Sequence, residues 1–136
     1  MRLVVFPSDP IEDYINKGFL YEYLADYYNP AGYFDEVLCL SPWKTSVTRF
    51  GNVKCMQARP WQYKGIIEEF HPNIVTGYGR YCCVDWVSIS KVRNIPTMIS
   101  LHDTNPKLIY DSVVYADCIV CMSEAVKNAA IKKLNL

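Results

Sequence analysis

Only two histidines occur among the 136 residues, and one of them, His102, stands beside Asp103 at the end of the apolar run Thr97–Leu101. An imidazole in that place can hydrogen-bond a hydroxyl, a carbonyl or a phosphate, and its charge switches near neutral pH. The same pair also reads as a histidine satisfied by loop carbonyls, with Asp103 capping the next turn. His71, directly before Pro72, is predicted to be a solvent-facing loop residue. Gly77-Tyr78-Gly79-Arg80 follows another apolar run. Its glycines permit close backbone approach, and the helix predicted to follow would favour an anion at its start. This is a fragment of the dinucleotide fingerprint with Cys82 where the third glycine belongs, and Asp103 lies roughly where a ribose-binding acid would sit. A simple tight turn explains the segment as well. Lys17-Gly18 either lets a ligand approach the first helix or relieves packing against a sheet. Ser8 cannot form a triad with His102 and Asp103, because adjacent histidine and aspartate side chains diverge. No phosphate-loop lysine motif, zinc-protease pair, hydrolase elbow or paired-cysteine zinc pattern is present, so no metal is expected.

These residues need a frame, and the sequence supplies one by alternating short β-rich runs with helix-length segments. Arg2–Phe6 is a continuous apolar run stopped by Pro7, as expected of a strand buried on both faces. Tyr14–Tyr28 has Ile15, Phe19, Leu20, Tyr23, Leu24 and Tyr27 at helical spacing, ended by Asn29-Pro30-Ala31-Gly32. Strands are predicted at Glu36–Leu40, near Val53–Met56, at Asn73–Thr76, Thr97–Leu101 and Cys118–Met122. Helices are predicted at Trp61–Phe70 and Arg80–Arg93, from the Asn105 cap to about Val114, and from the Ser123 cap towards Lys133. The expected fold is therefore α/β: a single-domain, Rossmann-like three-layer sandwich whose mostly parallel sheet has about six strands, with helices on both faces. In such folds ligands bind beyond the carboxyl ends of the strands. That rim comprises Pro7-Ser8-Asp9, Gly77 to Arg80, His102-Asp103 and Ser123-Glu124.

Composition narrows the function classes. Hydrophobic residues make up 51% and charged residues 21%, which is globular. The formal net charge of +0 argues against a nucleic-acid partner. The balance hides a gradient: two basic and seven acidic residues up to Leu40, then twelve and seven, or −5 against +5. That permits a basic surface in the later part, although a solvated face reads the same way. Neither a secretory signal nor a membrane-spanning stretch is recognisable, so a cytoplasmic protein is expected. The six cysteines then read as reduced thiols, with Cys118 and Cys121 expected inside a buried strand.

The order INKGFLYEYLADYYNPAGYFDEVLCLSP, PNIVTGYGRY, IPTMISLHDTNP and ADCIVCMSEAVKNAAIKK resembles the N-terminal domain of GT-B glycosyltransferases, nearest the retaining group 1 (family 4) type. Its most specific part is "proline, apolar strand, His-Asp" followed by "Ala-Asp, apolar strand, Ser-Glu". The resemblance implies the acceptor-side half of a two-domain enzyme that transfers a hexose-type sugar from a nucleotide-sugar to a glycan or lipid acceptor. It implies no resident cofactor, a C-terminal nucleotide-sugar domain absent from this chain and supplied in cis or in trans, and little activity from the chain by itself. Peripheral membrane association of the full enzyme is compatible with it. Carried over, His102 matches the histidine that reaches the donor sugar, with Asp103 positioning its loop. Gly18, preceded by Lys17 instead of a second glycine, matches the turn near the donor phosphates. Ser123 and Glu124 match the strand-end turn lining the cleft. Ser8, Arg80 and Lys107 are candidate substrate contacts. The rival readings are a small Rossmann-type nucleotide- or NAD-binding protein using Gly77 and Gly79, and a non-catalytic flavodoxin-like interaction module.

Overall fold

A computed structural model describes residues 1–78 and 83–136. Seven strands form one sheet: β1 (Arg2–Phe6), β2 (Glu36–Ser41), β3 (Arg49–Phe50), β4 (Val53–Gln57), β5 (Ile74–Tyr78), β6 (Thr97–Leu101) and β7 (Cys118–Cys121). Their spatial order is β3-β4-β2-β1-β5-β6-β7. All neighbours run parallel except β3, which turns back antiparallel on β4. The fold is thus the α/β, Rossmann-like single domain that the alternating pattern predicts, with β3 as an added strand. Two residues are too short for a periodic signal, and that is why the pattern hides it.

The helices are α1 (Ile11–Asn16), α2 (Tyr21–Tyr28), α3 (Pro60–Phe70), α4 (Cys83–Val92) and α5 (Glu124–Leu134). The single helix expected over Tyr14–Tyr28 is two helices. Gly18 takes φ +89, a left-handed conformation that side-chain-bearing residues rarely adopt, and its N–H bonds back to the carbonyl of Ile15. The break turns α2 relative to the predicted face, so Leu24 and Tyr28 are buried while Phe19, Leu20, Tyr23 and Tyr27 are exposed. Likewise the helix expected towards Val114 is two 3-10 turns, Pro106–Leu108 and Asp111–Tyr115, separated by an extended Ile109. Asn105 and Ser123 cap as their types predict, accepting hydrogen bonds from the N–H groups of Lys107 (3.0 Å) and Val126 (3.2 Å).

Strand alternation splits the core. Val4, Phe6, Leu38, Leu40, Val75, Ile99 and Leu101 face α3, α4 and α5 in one cluster. Leu3, Val5, Val37, Cys39, Val53 and Cys55 face α1 and α2 in the other. This second cluster reaches β5 only at Ile74. Beyond it, among the described residues, Met98 and Ser100 of β6 remain half-exposed with no helix packed over them. Phe6 is central to the first cluster. Trp86 stacks on it at 5.3 Å and 8° between planes, and Tyr63 meets it edge-on at 4.8 Å.

The buried setting expected for Cys118 and Cys121 does not hold. β7 is an edge strand, and Cys118 is exposed and Cys121 half-buried. Cys39 and Cys55 are the buried pair, opposite each other across β2 and β4. Their mutual hydrogen bond, with burial, pushes the Cys39 thiol well above its ordinary range, so it is a poor nucleophile.

At the amino ends of β6 and β7, Asp117 accepts hydrogen bonds from the backbone N–H and the hydroxyl of Thr97, both at 2.9 Å, and pairs with Lys91 at 2.6 Å. The bond from Lys91, followed by those from Thr97, holds its carboxyl down at about 2. Because the folded-state value is depressed, the stability this group contributes is present above the unfolded carboxylate range and is lost as pH falls from about 4 towards 2. Asp117→Asn should therefore flatten that part of a melting-temperature profile against pH, and an unaltered acid limb would exclude the clasp. A second substitution tests the core. A Cβ on Gly77 would lie 2.8 Å from Trp86 Cζ2 and 3.0 Å from Phe6 Cβ. Gly77→Ala should cost about 1–3 kcal/mol, read as a lower urea midpoint.

Candidate functional site

The chain leaves β1 for β2 on one side and later returns to β5 on the other. The connections diverge there, leaving a crevice beyond the carboxyl ends of β1 and β5. A cleft of about 130 Å³ opens at that place, lined by Ser8 and Asp9 after β1, Tyr78 at the end of β5, and Ser100 to Asp103 where β6 ends. Leu108 and Ile109 close it from the first 3-10 turn and the extended residue after it. The rim was readable from the strand ends. Its depth was not, because it depends on that irregular segment.

Ser8, Asp9 and Tyr78 are each held by a neighbour. The Ser8 hydroxyl donates to Asp9 Oδ2 at 2.7 Å and lies 3.2 Å from the Tyr14 hydroxyl, which also reaches Asp9 Oδ2 at 3.5 Å. Helix α1 thereby braces the β1 loop through Tyr14. Burial, with Asp9 adding to it, raises the Tyr14 phenol above its usual value. On the opposite wall the Tyr78 ring meets the exposed His102 imidazole edge-on, with centroids 5.0 Å apart. The Tyr78 hydroxyl bonds to that of Tyr27 on α2. Burial, and then this bond, drives the Tyr78 phenol far up. Both phenols are therefore neutral near pH 7 and serve as hydrogen-bond donors or acceptors.

Of the residues singled out in the sequence, Ser8, His102 and Asp103 come together in the cleft. Lys17 is the C-cap of α1, and Gly18 forms the turn after it, so neither opens a helix. A Cβ on Gly18 would meet nothing within 4 Å, so the backbone turn, not packing against the sheet, calls for glycine there. Ser123 spends its hydroxyl on capping α5, Glu124 pairs with Lys127, and Lys107 lies exposed on the first 3-10 turn; none of the three lines the cleft. Arg80, with Gly79 and Cys82 of the fingerprint fragment, lies outside the described residues. Gly77 is not in a turn after a strand. It is inside β5, paired with Phe6 and Ile99, and its missing side chain makes room for Trp86. That removes the first glycine of the dinucleotide reading. His71 is exposed at the C-cap of α3, at the other end of the sheet, as expected.

Tyr14 and Tyr27 were missed as site residues, Tyr27 being read only as one of the positions at helical spacing, and Tyr78 was named only as part of the Gly77 to Arg80 rim. Chemically, the cleft offers hydroxyls, two carboxylates and one imidazole. Such groups suit a polyhydroxylated ligand better than a bare phosphate, since no Lys or Arg is among the lining residues described. Among the described residues no group of three or more histidine, cysteine or acidic side chains could hold a metal ion, and no helix is long and apolar enough to cross a membrane.

No protein-family model matches this chain, and no curated protein does either. Solved structures do match in fold. One is the apo form of the lipopolysaccharide outer core galactosyltransferase WaaB, with TM-score 0.64 and 13% identity over 98% of this chain. Another is Anabaena HepE in complex with UDP, with TM-score 0.63 and 16% identity over 98% of this chain. The chain spans only 42% and 41% of those two proteins. At such identities the likeness is one of fold, and it agrees with the Rossmann-like architecture described above.

Proposed function

We propose that this chain is the acceptor-side half of a GT-B glycosyltransferase, which transfers a hexose-type sugar from a nucleotide-sugar to a glycan or lipid acceptor. The observation that carries the reading is the cleft at the β1/β5 switch point, where Tyr78, His102 and Asp103 face Ser8 and Asp9. Two further points support it. One fold neighbour is a galactosyltransferase and another was solved with UDP. The lining is also rich in hydroxyl-binding groups but carries no described cation, which leaves neutralisation of a departing diphosphate to a second domain, in cis or in trans.

In this mechanism His102, held against the Tyr78 ring, hydrogen-bonds the donor sugar as charge develops at the reacting carbon. Asp103 positions the loop that carries it. Asp9, fixed by Ser8 and Tyr14, accepts hydrogen bonds from sugar hydroxyls on the facing wall. Each contributes only if the bond is stronger in the transition state than in the ground state. In the two-domain enzyme, His102→Ala should lower the rate of transfer from a UDP-hexose by about ten- to a thousandfold, as expected for one lost transition-state hydrogen bond. Unchanged steady-state kinetics would remove His102 from the reaction.

A further inference from the structure

Beside the cleft, on the half of the sheet that no described helix covers, runs a second hollow of about 280 Å³. It shares Tyr78 and Ser100 with the cleft, and Tyr27 and Tyr28 of α2 form its other wall. Its size is close to the lower end of small-ligand sites, about 300 Å³. Two features distinguish it from a packing defect. The Tyr28 side chain is 4% exposed, yet its hydroxyl has no hydrogen-bond partner among the described residues, a state that costs free energy until something supplies one. From Tyr27 outward, Tyr23 and Phe19 follow at intervals of four residues. The Tyr27 and Tyr23 ring planes differ by 16° and those of Tyr23 and Phe19 by 22°, with centroids 6.4 Å and 5.1 Å apart, and the three residues are 40–54% exposed.

The chemistry of the occupant follows. An aliphatic chain would fit the apolar floor but would leave the Tyr28 hydroxyl unsatisfied. An anionic head group or membrane surface would meet Glu12, Asp13, Glu22 and Asp26 against the single Lys17 over α1 and α2. A neutral saccharide meets both conditions, since its hydroxyls can pair with the phenol while its C–H faces lie on the rings. We infer that the groove and the Phe19–Tyr23–Tyr27 row bind a neutral oligosaccharide, the glycan of the acceptor, and lead its end to the cleft. This rests on the glycosyltransferase reading and selects a glycan over a lipid.

The test is an NMR titration of the 136-residue chain with lactose, maltotriose and N,N′,N″-triacetylchitotriose. At least one should shift the amides of Tyr27, Tyr28 and Tyr78 saturably. Tyr28→Phe, which only removes the unpaired hydroxyl and should melt no lower than the parent, should weaken that binding fivefold or more. Tyr23→Ala, on the exposed row, should weaken a trisaccharide more than lactose. Vesicles of phosphatidylcholine with phosphatidylglycerol should shift none of these signals. The proposal is overturned if all three saccharides are silent at tens of millimolar, if the vesicles produce the shifts, or if protein concentration alone does. The two readings fail separately. A silent groove with the rate loss of His102→Ala intact removes only the glycan track. Saccharide binding with unchanged His102→Ala kinetics leaves the groove a glycan site without the reaction.

Discussion

The whole arrangement hangs on one close approach, that of the Trp86 indole to the backbone of β5 at Gly77. Phe6 lies beside Gly77 in the sheet, paired with it in register, and stacks against the same indole. Burying large aromatic side chains contributes several kcal/mol, but only where the facing surface is flat enough to admit the ring. A side chain at position 77 would push α4 away from the sheet. The strand ends that carry Ser8, Tyr78 and His102 are extensions of the strands locked by this contact, β1, β5 and β6. Their spacing across the crevice is therefore set by packing some distance below it.

This explains why the sequence was informative about some parts and silent about others. The strands were legible because a parallel sheet demands unbroken apolar runs, and Arg2–Phe6 or Thr97–Leu101 can hardly be anything else. The caps at Asn105 and Ser123 were legible because their side chains act within three residues. Gly77 was misread because a glycine needed for a neighbour's bulk and one needed for a tight turn look alike in one dimension. Only the position of Trp86, nine residues further on and packed from above, tells them apart.

The first helical stretch failed for a related reason. Periodicity of 3.6 assumes that the backbone continues, and Gly18 stops it with a left-handed turn. Once the helix is broken, the row Phe19, Tyr23 and Tyr27 leaves the core and becomes a surface. The same spacing that suggested burial then describes an exposed line of rings. Such a surface carries its own cost in solvation, and among the described residues it continues through Tyr27 and Tyr78 to His102.

The distribution of charge fits this division of labour. The acidic first forty residues supply α1, α2 and the β1 loop, hence one wall of the cleft and the outer face beside it. The balancing positive charge falls on later elements, where Lys91 is tied to Asp117 at the amino ends of β6 and β7, away from the crevice, and Lys133 to Asp111 on the second 3-10 turn. Among the described residues that line the cleft, a phosphate would meet carboxylates from both the β1 and β6 loops and no lysine or arginine. Hydroxyl groups face no such barrier, since a carboxylate accepts hydrogen bonds from them at full strength. Among the described residues the wall this chain builds offers hydroxyls, carboxylates and an imidazole but no lysine or arginine, and that balance favours a hydroxyl-bearing ligand over a bare phosphate.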